Sequence, residues 1–121
     1  MIYGIGIDII EIARIDQAAS NPRFIDRLLT ISEQADYHQL NTWSRQVEFL
    51  AGRWAAKEAY AKALGTGIGS QCSWLDISLS YGSSGQVTIQ SPHFKGAAFL
   101  SISHSHHYAV AQVVLEENTN L

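Results

Sequence analysis

Glu58 and Lys62, four residues apart, are the side chains most out of keeping with their surroundings. They lie in the stretch RQVEFLAGRWAAKEAYAKALGTGIG at residues 45–69. An ionised carboxylate on a buried face needs a cation or a metal as its partner. The bland alternative is an i,i+4 ion pair on a solvated edge. Asp8 is a second candidate, in IYGIGIDII. Strand alternation places it on one face with Gly4 and Gly6, whose missing side chains leave space for a metal ligand or a base. Its alternative is a turn carboxylate or helix cap. Gly65, Gly67 and Gly69 follow the helix and would free backbone amides for a ligand. His104, His106 and His107 form H-x-H-H, which lacks the second ligand group of a zinc site, and Cys72 is isolated.

These groups need elements to hold them. A strand is expected over residues 2–10. A short amphipathic helix follows over 11–19, with Ile12, Ile15 and Ala19 on its apolar side. Pro22 opens a second helix at its first position, with Phe24, Ile25, Leu28 and Leu29 facing in. Arg14, Arg23 and Arg27 fall on the remaining faces, as a basic patch or as three solvated side chains. Thr30-Ile31-Ser32-Glu33 matches a capping box for a helix over 31–40. Residues 41–44 read as a turn, with Ser44 capping the long helix that ends near Leu64. Val47, Leu50, Ala51, Trp54 and Ala61 share one stripe of that helix, with Glu58 in its middle. Its other faces carry Phe49, Ala55, Ala56, Ala59, Tyr60 and Leu64, so it is apolar nearly all round and should be buried. Residues 74–81 alternate as a strand, 82–85 turn, and 86–90 return. A second hairpin pairs residues 97–103 with 108–115. Strand, helices and meander together give an α+β fold with a largely antiparallel sheet.

The chain has 121 residues, which fits one domain with a modest core. It is 46% hydrophobic and only 16% charged, against a usual charged share of about 25%. Little surface is built for solvation alone, so oligomerisation is expected. The net charge of −3 carries no nucleic-acid footprint. Basic charge is nevertheless concentrated between Arg45 and Lys62 and between Arg14 and Arg27. Glu116 and Glu117 are expected to fray. The single cysteine excludes an internal disulfide and fits a reducing cytoplasm. Neither a secretory signal nor a membrane span is expected.

Three stretches, GIGIDIIEIARI, FLAGRWAAKEAYAKALGTGIG and SISHSHHYAVAQVV, occur in this order from Ile2 to Val114. Together they resemble the holo-acyl-carrier-protein synthases, small bacterial 4′-phosphopantetheinyl transferases. The resemblance implies a single transferase unit over residues 1–121, with an antiparallel sheet packed on a long central helix. It implies transfer of the 4′-phosphopantetheine arm of coenzyme A to a serine of apo-acyl carrier protein, releasing adenosine 3′,5′-bisphosphate. Asp8 and Glu58 match the family's metal ligands, for Mg²⁺ or with Mn²⁺ in its place. Glu58 and Lys62 match its catalytic residues, with Lys62 facing the pyrophosphate. The base is Glu58 or a metal-held water. Arg53, Lys57, Lys62, Gly65, Thr66, Gly67 and His104 resemble the coenzyme A surround. Arg14, Arg23, Phe24 and Arg27 lie where relatives meet the acidic carrier protein, near Asp16 and Asp26, which weaken the patch. A cytoplasmic homotrimer with active sites between subunits is implied, and no role falls to His106 or His107. The rival readings from the residues are a Mg²⁺-dependent hydrolase of nucleotide pyrophosphates and a non-catalytic binder of acidic proteins.

Overall fold

The computed structural model describes residues 1–118; the remainder of the expected 1–121 unit lies outside the described residues. Strand β1 (Ile2–Glu11) leads into helices α1 (Ile12–Ala19), α2 (Pro22–Leu28), α3 (Ile31–His38) and α4 (Trp43–Leu64). Strands β2 (Ser78–Tyr81), β3 (Val87–Gln90), β4 (Ala97–His104) and β5 (Tyr108–Glu116) follow. All pairing between strands is antiparallel, in two sheets of order β1-β5-β4 and β2-β3.

Helix α4 is apolar on all sides because it is surrounded. Its residues Leu50, Ala51, Ala55, Ala56, Ala59 and Ala61 are fully buried. One flank lies on the three-stranded sheet, and α1 to α3 pack around the rest. The small residues set the closeness of this packing. A Cβ built on Gly6 would stand 1.8 Å from the Ala59 carbonyl oxygen, and one on Gly4 2.0 Å from that of Ala63. These glycines therefore admit the backbone of α4. The open space expected beside Asp8 is filled by the helix, and this corrects the ligand-cleft reading of Gly4 and Gly6.

Local signals explain most element ends. Asn21 caps α2, accepting from the Arg23 amide, with Pro22 at the first helical position. Thr30 and Glu33 form the expected capping box on α3. The long helix begins earlier than expected: Thr42, not Ser44, is its cap, accepting from the Arg45 amide at 3.2 Å. Gly65 ends it in the left-handed conformation, at φ 91°. Residues 74–76 form a single 3₁₀ turn and not a strand, because Asp76 reaches back to the Ser73 amide at 3.0 Å. The C-terminal acids do not all fray: Glu116 closes β5, and the Glu117 amide donates to the Met1 carbonyl.

The other face of the three-stranded sheet is largely apolar and, among the described residues, uncovered. Its cross-strand rows are Ile5–Val114–Phe99, Ile7–Gln112–Ser101 and Ile9–Val110–Ser103. Ile5, Ile7, Ile9 and Phe99 are each more than half exposed.

Candidate functional site

Asp8 sits on the edge strand β1 and turns toward α4, in the row Asp8–Ala111–Ile102. There it meets Lys62, whose Nζ donates to Asp8 Oδ1 at 3.1 Å and to the Ile7 carbonyl at 3.0 Å. Lys62 thus pairs across elements, and not with Glu58 as in the alternative of an i,i+4 ion pair. Glu58 lies one turn before Lys62 and is half-buried. Burial raises the Glu58 carboxyl above the usual carboxylate range; Asp8 raises it further, and Lys62 opposes both. Asp8 Oδ2 is buried without a hydrogen-bond partner among the described residues.

Two converging carboxylates, one with an orphaned oxygen and one resisting ionisation, form a site short of positive charge. A hard divalent cation fits it. Mg²⁺ takes oxygen ligands, keeps several waters and needs only one or two carboxylates. Among the described residues there is no cluster of three or more His, Cys, Asp or Glu side chains, so a cage built wholly from protein does not fit. The cleft at Asp8 and Lys62 has a volume of about 520 Å³ and is otherwise lined by Ile7, Ile9 and Val110. Those three belong to the uncovered outer face of the sheet, so whatever covers that face also borders the cleft.

The expected coenzyme A residues do not gather in one place. Arg53 lies nine positions before Lys62, half a turn round the helix and about 13.5 Å along it. It lines a separate cleft of about 220 Å³ with Arg45, Glu48, Tyr81 and His104. Its guanidinium stacks over Phe49 at 4.0 Å, and Nε and Nη2 are buried without partners among the described residues. His104 ends β4 with Nδ1 4.0 Å from Glu48. An almost fully buried guanidinium with unspent donors is suited to an anion.

Lys57 is a correction. It is fully buried, and its three donors go to the Leu28 carbonyl at 2.6 Å, Glu33 Oε1 at 2.6 Å and the Trp74 carbonyl at 3.1 Å. Burial lowers the Lys57 ammonium from its ordinary value, against the pull of Glu33. No donor is left for a coenzyme A phosphate. The glycine loop is corrected likewise. The amides of Gly65, Thr66 and Gly67 all turn back to the Ala61 carbonyl, at 3.1 to 3.2 Å. They cap the helix, so those amides are not free for a ligand. Cys72 is buried.

Arg14, Arg23 and Arg27 are exposed on α1 and α2. Asp16, next to them, accepts from Trp43 Nε1 at 3.0 Å. Phe24 stacks on Trp54 at 5.8 Å, and Trp54 meets Trp74 at 4.4 Å. With Arg27 and Leu28 these aromatics line a cleft of about 200 Å³. The sequence reading missed Trp74 here because alternation drew it into a strand. It took Trp54 for core, since a stripe at helical spacing does not separate core from cleft wall.

This α+β fold, in which Asp8 of β1 meets Glu58 of the central helix, has a family. The model of the 4′-phosphopantetheinyl transferase superfamily matches residues 4–115, and the chain belongs to that superfamily. It is 51% identical over 117 residues to a holo-[acyl-carrier-protein] synthase of Anoxybacillus flavithermus, covering 96% of this chain and 97% of the relative. It is 48% identical to the synthase of Exiguobacterium sibiricum, over 99% and 93% of the two chains. Among solved structures, a Bacillus anthracis holo-(acyl-carrier-protein) synthase in complex with CoA (3′,5′-ADP) superposes with a TM-score of 0.91 at 48% identity. That match covers 98% of this chain and 99% of the other. The Helicobacter pylori synthase in complex with coenzyme A gives a TM-score of 0.80 at 33% identity, over 93% and 99%.

Proposed function

We propose that this protein is one transferase unit that moves the 4′-phosphopantetheine group of coenzyme A to a serine of apo-acyl carrier protein. Adenosine 3′,5′-bisphosphate leaves. The observation that carries this reading is the Asp8–Glu58–Lys62 face, with its orphaned buried carboxylate oxygen, in a chain about half identical to holo-acyl-carrier-protein synthases.

Asp8 and Glu58 would hold Mg²⁺, with Mn²⁺ as a substitute. The bound ion would neutralise pyrophosphate charge. Lys62 holds Asp8 in place and presents its remaining donor to the departing phosphate, stabilising the negative charge that develops there. Glu58 takes the proton of the serine hydroxyl as its oxygen attacks phosphorus and the bond to adenosine bisphosphate breaks. Arg53 and His104 receive the nucleotide phosphates in their own cleft.

Arg53 and Lys62 face opposite ways, and the uncovered sheet face borders the Lys62 cleft. Both observations favour a homotrimer in which a neighbour's Arg53 and His104 complete each site. Arg14, Arg23, Phe24 and Arg27 receive the acidic carrier protein, for which a basic patch gives steering. The setting is cytoplasmic fatty acid synthesis. Among the described residues no helix is long and apolar enough to cross a membrane.

The test is intact-mass spectrometry of an apo-acyl carrier protein incubated with this protein, coenzyme A and Mg²⁺, with an EDTA control. A gain of one phosphopantetheine group, lost with EDTA, is expected. Cleavage of coenzyme A without that gain would make the protein a hydrolase; no change to either partner would leave a binding module.

A further inference from the structure

Lys57 and Glu33 are buried, charged and unused by the chemistry proposed above. Each polar atom of the pair has a partner, and the partners come from five elements. Lys57 on α4 binds the Leu28 carbonyl at the end of α2, Glu33 on α3, and the Trp74 carbonyl of the 3₁₀ turn. Glu33 accepts from the Thr30 amide through Oε1 at 2.8 Å and from the Leu79 amide of β2 through Oε2 at 2.9 Å. A network so fully satisfied fixes one arrangement of the groups it joins.

What it joins is specific. Leu28 ends the helix that bears Arg23, Phe24 and Arg27. Trp74 is the far wall of the Phe24–Trp54–Trp74 cleft. Lys57 directly precedes Glu58 in α4, so one side chain ties both walls of this cleft to the helix turn that bears the reacting carboxylate. We infer that Lys57 and Glu33 are positioning residues, which hold α2 and the 3₁₀ turn against α4 in the arrangement that binds the carrier protein. This rests on the reading of Arg23, Phe24 and Arg27 as the carrier-protein surface. The pair touches neither substrate, and its effect is exerted through the Leu28 and Trp74 carbonyls.

The test compares steady-state kinetics for both substrates. Replacing Lys57 alone would strand Glu33 in the core, so the first variant is the neutral double Lys57→Met/Glu33→Gln. The second is Glu33→Asp, which keeps both charges but withdraws the carboxylate by one methylene. In folded protein, the KM for apo-carrier protein should rise about tenfold in the double variant and about threefold in Glu33→Asp. The KM for coenzyme A, and kcat at saturating carrier protein, should stay within about twofold. Hydrogen exchange of α2 amides should quicken in parallel. Unchanged KM for carrier protein in Glu33→Asp, or an equal rise for both substrates, would overturn the inference. Arg27→Glu is run alongside. If it weakens carrier protein use while the Lys57 and Glu33 variants do not, the surface stands and the positioning role falls. If Arg27→Glu has no effect, the docking surface falls and the inference with it.

Discussion

Helix α4 carries two lysine–carboxylate pairs five residues apart, and they are opposite in kind. Lys57–Glu33 closes at 2.6 Å with both side chains fully buried and their donors and acceptors matched. Lys62–Asp8 spans 3.1 Å, with the lysine 50% and the aspartate 13% exposed. It leaves one buried aspartate oxygen orphaned and a second carboxylate, Glu58, beside it. The difference teaches where chemistry resides. A buried pair with no unspent bonding capacity holds structure; a pair at a cleft with capacity left over is open to a ligand.

The sharpest way to break this contrast is to remove each lysine. Lys57→Met should cost about 3–5 kcal/mol of stability by stranding Glu33, read by denaturant titration. Lys62→Met, at a half-exposed position, should cost at most about 1 kcal/mol while abolishing most transfer. Next in size, Asp8→Asn or Glu58→Gln should slow transfer about 100-fold or more with the fold intact, measured by single-turnover mass spectrometry. Near-normal rates in both would remove the metal assignment. A smaller effect is expected from Arg14→Glu/Arg27→Glu. Carrier protein association should weaken and lose salt dependence, while calorimetric binding of coenzyme A stays nearly unchanged.

The smallest effect concerns pH. The folded chain holds the Glu58 proton to higher pH than the unfolded chain does. Stability from this group is therefore fully present below the ordinary glutamate value and lost as pH rises through the folded one. In EDTA, melting temperatures from about pH 4 to about pH 7 should fall less for Glu58→Gln than for the parent. Mg²⁺ should restore stability to the parent and not to Asp8→Asn. An equal response in all of them would break the claim that Glu58 resists ionisation beside Asp8.

Much of the fold was legible because its signals are local. Pro22 after Asn21, the Thr30–Glu33 box and the alternation of β1 each depend on neighbours in the chain. The convergence of Asp8 with the Glu58–Lys62 turn was legible only through the family resemblance, since strand and helix meet by folding. What stayed hidden was tertiary. Nothing in the spacing of Lys57 and Lys62 says that one reaches the core and the other a cleft. Glu33 read as a capping residue, which it is, yet its second oxygen binds the Leu79 amide, 46 positions away. Gly4 and Gly6 read as open space because the approach of Ala59 and Ala63 is invisible from within β1. The outward rows of the sheet alternate like any strand, and only the folded arrangement shows that they are uncovered.

The two faces of α4 make the most direct test. In the proposed trimer, Asp8, Glu58 and Lys62 of one subunit work with Arg53 and His104 of the next. Asp8→Asn and Arg53→Ala subunits, each inactive alone, should be unfolded together, refolded as a mixture and assayed for transfer to apo-carrier protein. Recovery of activity well above the sum of the separate variants is the predicted result. A mixture no more active than its parents, with mixed assemblies verified by mass, would contradict a site shared between subunits.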